Sequence, residues 1–109
     1  MKTLDMEQSI FQIIAHGGNA KGLAFEGLEK AHLYRFSEAE ELLKEAHSEL
    51  NLAHNTQTQL IQAELNGEKV EGTLLMIHAQ DHLMAAISEI SLIEQMVKML
   101  KKMELLEKK

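Results

Sequence analysis

The 109-residue sequence contains no cysteine, no proline and no tryptophan, and it has only six glycines. Without cysteine the chain can form no disulfide, no thiolate metal site and no cysteine nucleophile, and a reducing compartment is the simplest expectation. Without proline, no residue forces a helix to stop. The abundant residues are Ala, Leu, Glu, Lys, Gln and Met. These are strong helix formers, so the composition predicts an all-α fold.

Positive charge and long apolar runs are also scarce. The formal net charge is −6, which argues against nucleic-acid binding because such a surface needs a basic stripe. No apolar run approaches the roughly 18 residues of a membrane-spanning helix, and the first residues do not resemble a signal peptide. We therefore expect a cytoplasmic protein without membrane insertion, folded as a single domain over residues 1–109.

The spacing of apolar residues predicts three amphipathic helices over about 4–31, 37–66 and 73–103, arranged as an antiparallel three-helix bundle. Helix one carries four of the six glycines. Its adjacent pair Gly17-Gly18 leaves a kink or break open, since each glycine costs about 1 kcal/mol relative to alanine inside a helix. We interpret these glycines as a functional or packing need for close backbone approach.

Local signals mark the ends of these helices. Asp5 followed by Gln8 predicts a capping box at the start of helix one. Ser37 followed by Glu40 predicts a second box at the start of helix two. An Asn-Gly pair at 66–67 predicts the end of helix two through a left-handed residue.

Helix three carries two stripes at helical spacing. The first, which we call the seam, consists of Leu74, His78, Asp81, Ala85, Ser88, Leu92, Gln95 and Met99. The second, which we call the core stripe, consists of Leu83, Ala86, Ile90, Ile93, Val97 and Leu100. In a monomeric bundle the core stripe alone would meet the other helices, which leaves the seam exposed. Self-association along the seam is the economical way to cover it.

Asp81 is the charged member of the seam. Symmetric association would bring copies of Asp81 together, and crowded carboxylates cannot all remain ionised without a cation or bound protons. Oxygen ligands alone favour a hard ion such as Mg²⁺. The sequence therefore predicts a shared Mg²⁺ site at Asp81, formed between copies of the chain.

His78 and His82 share a helix face with Asp81 because the three lie at i, i+3 and i+4. A satisfied polar pair in a core, a metal site and histidine chemistry all remain open. A metalloprotease zinc site needs Glu where Ala79 stands. A di-iron bundle needs two Glu-x-x-His motifs, and only one is present, at residues 29–32. A nucleophilic His78 needs partners, for which His82 and Gln80 are candidates, although Gln80 points well round the helix.

The segment His78-Ala79-Gln80-Asp81-His82-Leu83-Met84 resembles the enzyme IIA component of the lactose/cellobiose branch of the bacterial sugar phosphotransferase system (PTS). Ala53-His54 with Gln57-Thr58, and the glycine-bearing segment around Gly18, support the resemblance, which runs nearly end to end. It implies a homotrimer with the third helices around a three-fold axis and one Mg²⁺ between the Asp81 carboxylates.

The resemblance also implies that His78 accepts a phosphoryl group from the phosphocarrier protein HPr and passes it to a cysteine of a separate IIB protein. His82 and Gln80 are hypothesised to stabilise the phosphoryl group. Sugar uptake through a membrane component would follow, with a cellobiose-like β-glucoside favoured over lactose. The alternative is a helical oligomerisation or adaptor protein with a structural metal at Asp81.

Overall fold

A computed structural model describes residues 5–109, which form α1 (Met6–His32), α2 (Phe36–Leu65) and α3 (Leu74–Glu107). The predicted start of helix one at residue 4 lies outside the described residues. No strand is present in the described part, so the predicted all-α fold with three helices is confirmed. The bundle is a narrow rod of 62 × 21 × 17 Å.

Contacts between helices establish that the neighbours in sequence are antiparallel. On α1 and α2, His16 pairs with Glu49 and the later residue Lys30 pairs with the earlier Glu38. The α2–α3 pairs Gln57 with Gln80 and Glu40 with Lys101 also run in opposite directions along the two helices. In the rod, α1 and α3 therefore run in the same direction, and α2 runs in the opposite direction.

α1 begins at the predicted cap and continues through its glycine pair. The Asp5 carboxylate accepts a hydrogen bond of 3.1 Å from the backbone N–H of Gln8. No break occurs at Gly17-Gly18. The predicted need for close approach holds at Gly27, where an added Cβ would lie 3.2 Å from the carbonyl oxygen of Ala39 on α2. Gly22 is different, because outside its own stretch of α1 nothing in the described residues lies within 4 Å of an added Cβ there.

The predicted capping box at Ser37 and Glu40 is wrong. α2 begins one residue earlier, at Phe36, and its N-cap Arg35 makes no capping hydrogen bond through its side chain. Arg35 instead pairs with Glu38 across the first turn. The connection from α1 turns at Tyr34, whose φ of 60° is left-handed. This turn sets where α2 starts, which the Ser-x-x-Glu pattern does not encode.

The other helix ends are local features. Gly67 has a φ of 91° directly after α2, as the Asn-Gly pair predicts. The Thr73 side chain caps α3 by accepting a hydrogen bond of 3.1 Å from the backbone N–H of Met76. α3 runs to Glu107, beyond the predicted end at Met103, because no glycine or proline interrupts it.

The two stripes of α3 differ in exposure as expected for a single chain. All six residues of the core stripe are buried, with Leu83 among the most completely buried side chains of the described part. The seam is exposed along its length. Its apolar members Leu74, Leu92 and Met99 are 83%, 58% and 61% exposed. None of the three helices is long and apolar enough to cross a membrane.

Candidate functional site

The site is built on the first turns of α3, where His78 and His82 lie one helical turn apart. Their imidazole rings are nearly parallel, with an angle of 16° between planes and 6.2 Å between centroids. His78 is exposed on the seam, and His82 is half-buried towards α1. Helix geometry brings both rings to one side, as their i, i+4 spacing predicts.

Neither imidazole is held by a protein hydrogen bond within residues 5–109. No buried side-chain nitrogen or oxygen in the described part lacks a partner. The ring nitrogens of half-buried His82 must therefore reach solvent, and those of His78 are exposed. A buried, mutually satisfied polar pair is excluded for this arrangement. Two accessible imidazoles can instead act as nucleophile and hydrogen-bond partner.

His82 packs against the glycine pair of α1. A Cβ added to Gly17 would lie 3.7 Å from Cδ2 of His82 and 4.0 Å from the backbone of Leu83. A Cβ added to Gly18 would lie 3.7 Å from Nε2 of His82. The Cδ2–Nε2 edge of the imidazole therefore faces two successive residues that have no side chain. The glycine pair therefore borders the candidate site.

Gln80 lies on a different side of α3 from His78, because two residues along a helix correspond to a rotation of about 200°. Its side-chain oxygen accepts a hydrogen bond of 2.5 Å from the amide of Gln57 on α2. The same Gln57 amide lies 3.9 Å from the sulfur of Met84. A single chain therefore does not bring Gln80 and His78 together, and the carbonyl oxygen of Gln80 is already engaged within its own chain.

Asp81 is exposed on the seam between the two histidine positions. No group of three or more His, Asp or Glu side chains able to hold a metal ion occurs among the described residues. One chain thus offers a single seam carboxylate at this level. Its oxygen donors suit a hard cation such as Mg²⁺, but the remaining ligands would have to come from other copies or from water.

Two other histidines, His16 and His47, lie against carboxylates of neighbouring helices. His16 lies 3.0 Å from Glu49, whose other oxygen accepts a hydrogen bond of 2.9 Å from Asn19. His47 lies 2.9 Å from Glu94. Each pair joins two helices at the surface of the bundle. His32 is exposed at the end of α1.

Residues 8–101 match the family model described as PTS system, Lactose/Cellobiose specific IIA subunit. The chain belongs to this family. Members are phosphotransfer components of sugar phosphotransferase systems. The resemblance that the sequence suggested around His78 is therefore confirmed at the level of the family.

Curated relatives cover most of this IIA chain. It is 47% identical to the "Lichenan-specific phosphotransferase enzyme IIA component" of Bacillus subtilis, over 90% of this chain and 89% of the relative. It is 44% identical to the "PTS system cellobiose-specific EIIA component" of Lactococcus lactis subsp. lactis, over 92% of this chain and 86% of the relative.

Solved structures support the same fold for the IIA chain. A crystal structure of a cellobiose-specific enzyme IIA from Bacillus anthracis has a TM-score of 0.90 and 42% identity, covering 95% of both chains. The IIA(Chitobiose)–HPr complex of Escherichia coli contains a chain with a TM-score of 0.81 and 28% identity, covering 94% of this chain and 99% of that one. The three-helix fold is thus shared across differently named sugar specificities.

Proposed function

We propose that the chain is a phosphocarrier that accepts a phosphoryl group on His78 and passes it to a second protein. The observation that carries this proposal is the exposed imidazole of His78 beside the parallel imidazole of His82, 6.2 Å away between centroids. Neutral imidazole is a nucleophile. A second imidazole one turn away can hydrogen-bond the phosphoryl oxygens. The family's phosphotransfer role gives this geometry a reaction to perform.

The proposed reaction consists of two successive in-line displacements at phosphorus. A ring nitrogen of His78 attacks phosphorus while the bond from phosphorus to the donor's histidine nitrogen breaks, and the donor leaves with its nitrogen lone pair. In the second step a cysteine thiolate of a IIB protein attacks the same phosphorus, and the His78 nitrogen leaves. This chain has no cysteine, so the second acceptor belongs to another protein. Positioning and charge stabilisation supply most of the catalysis.

HPr is the proposed donor. The related Escherichia coli IIA(Chitobiose) forms a complex with HPr. The accessibility of His78 in this chain suits a reaction in which another protein must approach the ring. We propose a cognate IIB protein as the acceptor and a cellobiose-like β-glucoside as the transported sugar. The sugar assignment draws on the cellobiose-specific and lichenan-specific names of similar relatives.

We also propose that three copies associate through their seams and hold one Mg²⁺ between their Asp81 carboxylates. The exposed apolar side chains of Leu74, Leu92 and Met99 favour burial against other copies. Three Asp81 carboxylates would repel one another without a cation. Gln80 could stabilise the phosphoryl group only from or towards a neighbouring copy, since it lies away from His78 within its own chain.

The deciding experiment is incubation of the chain with phosphoenolpyruvate, enzyme I and HPr, followed by intact-mass measurement. We expect a gain of one acid-labile phosphoryl group on the wild type and none on His78→Ala. The matched control is His32→Ala, because this exposed histidine lies at the end of α1. His32→Ala should accept phosphate like the wild type. A wild type without a labile phosphoryl group would end the proposal.

The assembly is tested separately, by native mass spectrometry and metal analysis of the purified wild type. We expect three chains and one Mg²⁺, and we expect His78→Ala to give the same result. A structural metal held by His78, Asp81 and His82 together predicts the opposite for His78→Ala, namely loss of metal and assembly together. That outcome, with no phosphoryl acceptance, would favour the adaptor alternative. A monomer without bound metal would contradict the assembly proposal while leaving phosphoryl acceptance to its own test.

A further inference from the structure

The glycines of α1 fall into three environments. Gly27 allows a close crossing with α2, and Gly22 has open space where a side chain would be. Gly17 and Gly18 face the imidazole of His82. At Gly17 an added Cβ would make only ordinary contacts, with carbon atoms of His82 and Leu83, so it would meet no hydrogen-bonding atom. At Gly18, His82 Nε2 is the one atom of residues 5–109 outside the adjoining part of α1 that lies within 4 Å of an added Cβ.

Helix stability does not explain Gly18. Glycine is unfavourable in a helix interior relative to alanine, and α1 continues through this position. A Cβ at 3.7 Å from Nε2 would be an ordinary van der Waals contact, so alanine fits without a clash. The main effect of having no side chain at residue 18 is therefore that no methyl group contacts Nε2 of His82.

A Cβ at residue 18 would restrict access to Nε2 of His82, which is a hydrogen-bonding atom. His82 has no protein hydrogen-bond partner within residues 5–109, so its nitrogens depend on solvent or on a ligand. A methyl group in van der Waals contact with Nε2 would take the place of such a partner. It would also restrict adjustment of the ring when a tetrahedral group forms on His78, whose ring centroid is 6.2 Å away.

We propose that Gly18 is a positioning residue for phosphoryl transfer, because its missing side chain keeps Nε2 of His82 open to hydrogen-bond the phosphoryl oxygens on His78. This inference rests on the proposed function of His78 and on the role of His82 as its partner. Gly18 itself need not touch the phosphoryl group. It acts through the position and accessibility of the His82 ring.

The test compares Gly18→Ala with Gly22→Ala, which makes the same change four residues later in the same helix where no atom lies nearby. Both variants should unfold at higher temperature than the wild type, because alanine favours the helix. Only Gly18→Ala should slow phosphoryl transfer. We expect its first-order transfer rate from phospho-HPr to fall about tenfold, with the KM for phospho-HPr unchanged.

A double-mutant cycle separates action through His82 from a general effect on packing. If Gly18 acts through His82, Gly18→Ala should produce no further loss in a His82→Ala background. If Gly18→Ala slows transfer in the His82→Ala background as much as it does in the wild type, the inference is overturned. It is also overturned if the single variant Gly18→Ala transfers at the wild-type rate or changes only KM. If Gly18→Ala fails to fold, Gly18→Ser in the same cycle must show the same dependence on His82.

The wild-type measurement distinguishes failure of this inference from failure of the proposed function. A wild type that accepts no phosphoryl group removes the proposed function itself. A wild type and Gly22→Ala that accept at equal rates, together with an unimpaired Gly18→Ala, overturn the role of Gly18 alone. A nuclear Overhauser contact between the new methyl group and the His82 ring verifies that the substitution meets the intended atom.

Discussion

The two stripes of α3 have similar spacing and opposite environments. The core stripe, from Leu83 to Leu100, is buried against the rest of its own chain. The seam carries leucine and methionine too, yet it remains exposed. The difference lies in what interrupts the apolar residues: alanine in the core stripe, but His78, Asp81, Ser88 and Gln95 in the seam. Apolar spacing identifies helix faces, and the interrupting residues indicate which face packs within the chain and which face stays exposed.

The largest effect should come from removing a core-stripe side chain. Leu83→Ala creates a cavity in a fully buried position and should lower the free energy of unfolding by about 2–5 kcal/mol. Leu92→Ala is the matched control on the seam, where the side chain is 58% exposed. Urea unfolding over a range of protein concentrations measures both.

The concentration series makes this comparison decisive. The cost of Leu83→Ala should persist at every concentration. The cost of Leu92→Ala should be within about 0.5 kcal/mol in dilute solution and should grow as the chains associate. Equal costs for the two variants at the lowest concentration would mean that the seam is already covered within one chain.

The next effect concerns charge on the seam. Asp81→Leu removes the carboxylates that should repel one another in an assembly without metal. We expect its association in EDTA to strengthen about tenfold over the wild type, equivalent to about 1.4 kcal/mol. Analytical ultracentrifugation measures this difference. Ser88→Leu adds the same side chain one heptad later and retains the charge, so it should keep the wild-type dependence on Mg²⁺. Association of Asp81→Leu that still requires Mg²⁺ would contradict the prediction.

A smaller effect is expected at the edge of the core stripe, where Gln80 meets α2. Gln57→Leu removes the hydrogen bond to Gln80 and leaves a half-buried carbonyl oxygen without that partner. It should lower the free energy of unfolding by about 1 kcal/mol. Gln59→Leu is the control, since Gln59 is exposed on the same helix. Urea unfolding with indistinguishable midpoints for the two variants would show that the amide pair contributes nothing.

The smallest effect should come from the hydrogen-bonded contact between His47 and Glu94, which is an ion pair when the imidazole is protonated. Both side chains are well exposed, at 46% and 39%, so water and salt screen the interaction. Glu94→Gln should change the free energy of unfolding by no more than about 0.5 kcal/mol. Thermal unfolding at low and high salt tests this, and the difference between variants should vanish at high salt. A loss above about 1 kcal/mol that salt does not reduce would contradict surface screening.

The sequence predicted those parts of the fold that local patterns encode. The Asp5 cap and the left-handed Gly67 depend on neighbouring residues, and both were correct. The start of α2 was wrong because the turn at Tyr34 and the pairing of Arg35 with Glu38 precede Ser37. The end of α3 was placed too early because a lysine-rich, glutamate-containing stretch continues a helix as readily as it ends one.

The site was predictable along one helix and not across helices. The i, i+4 spacing brought His78 and His82 together. The contact of His82 with Gly18 and the bond from Gln57 to Gln80 join residues on different helices, and no period in the sequence links them. The adjacent glycines were the available signal: an unfavourable pair inside an unbroken helix indicates that another group lies close by.

A single chain is only 21 Å by 17 Å across, and under the proposed function His78 lies on the side of this narrow rod. A protein large enough to present a phosphohistidine or a cysteine to His78 would cover much of the surface around that ring. Donor and acceptor must then occupy the site in turn. Under the proposed function the kinetics are ping-pong, and each partner must dissociate quickly enough for the other to bind. Under that function, phosphoryl transfer through this chain is fastest when both partners bind weakly and exchange rapidly.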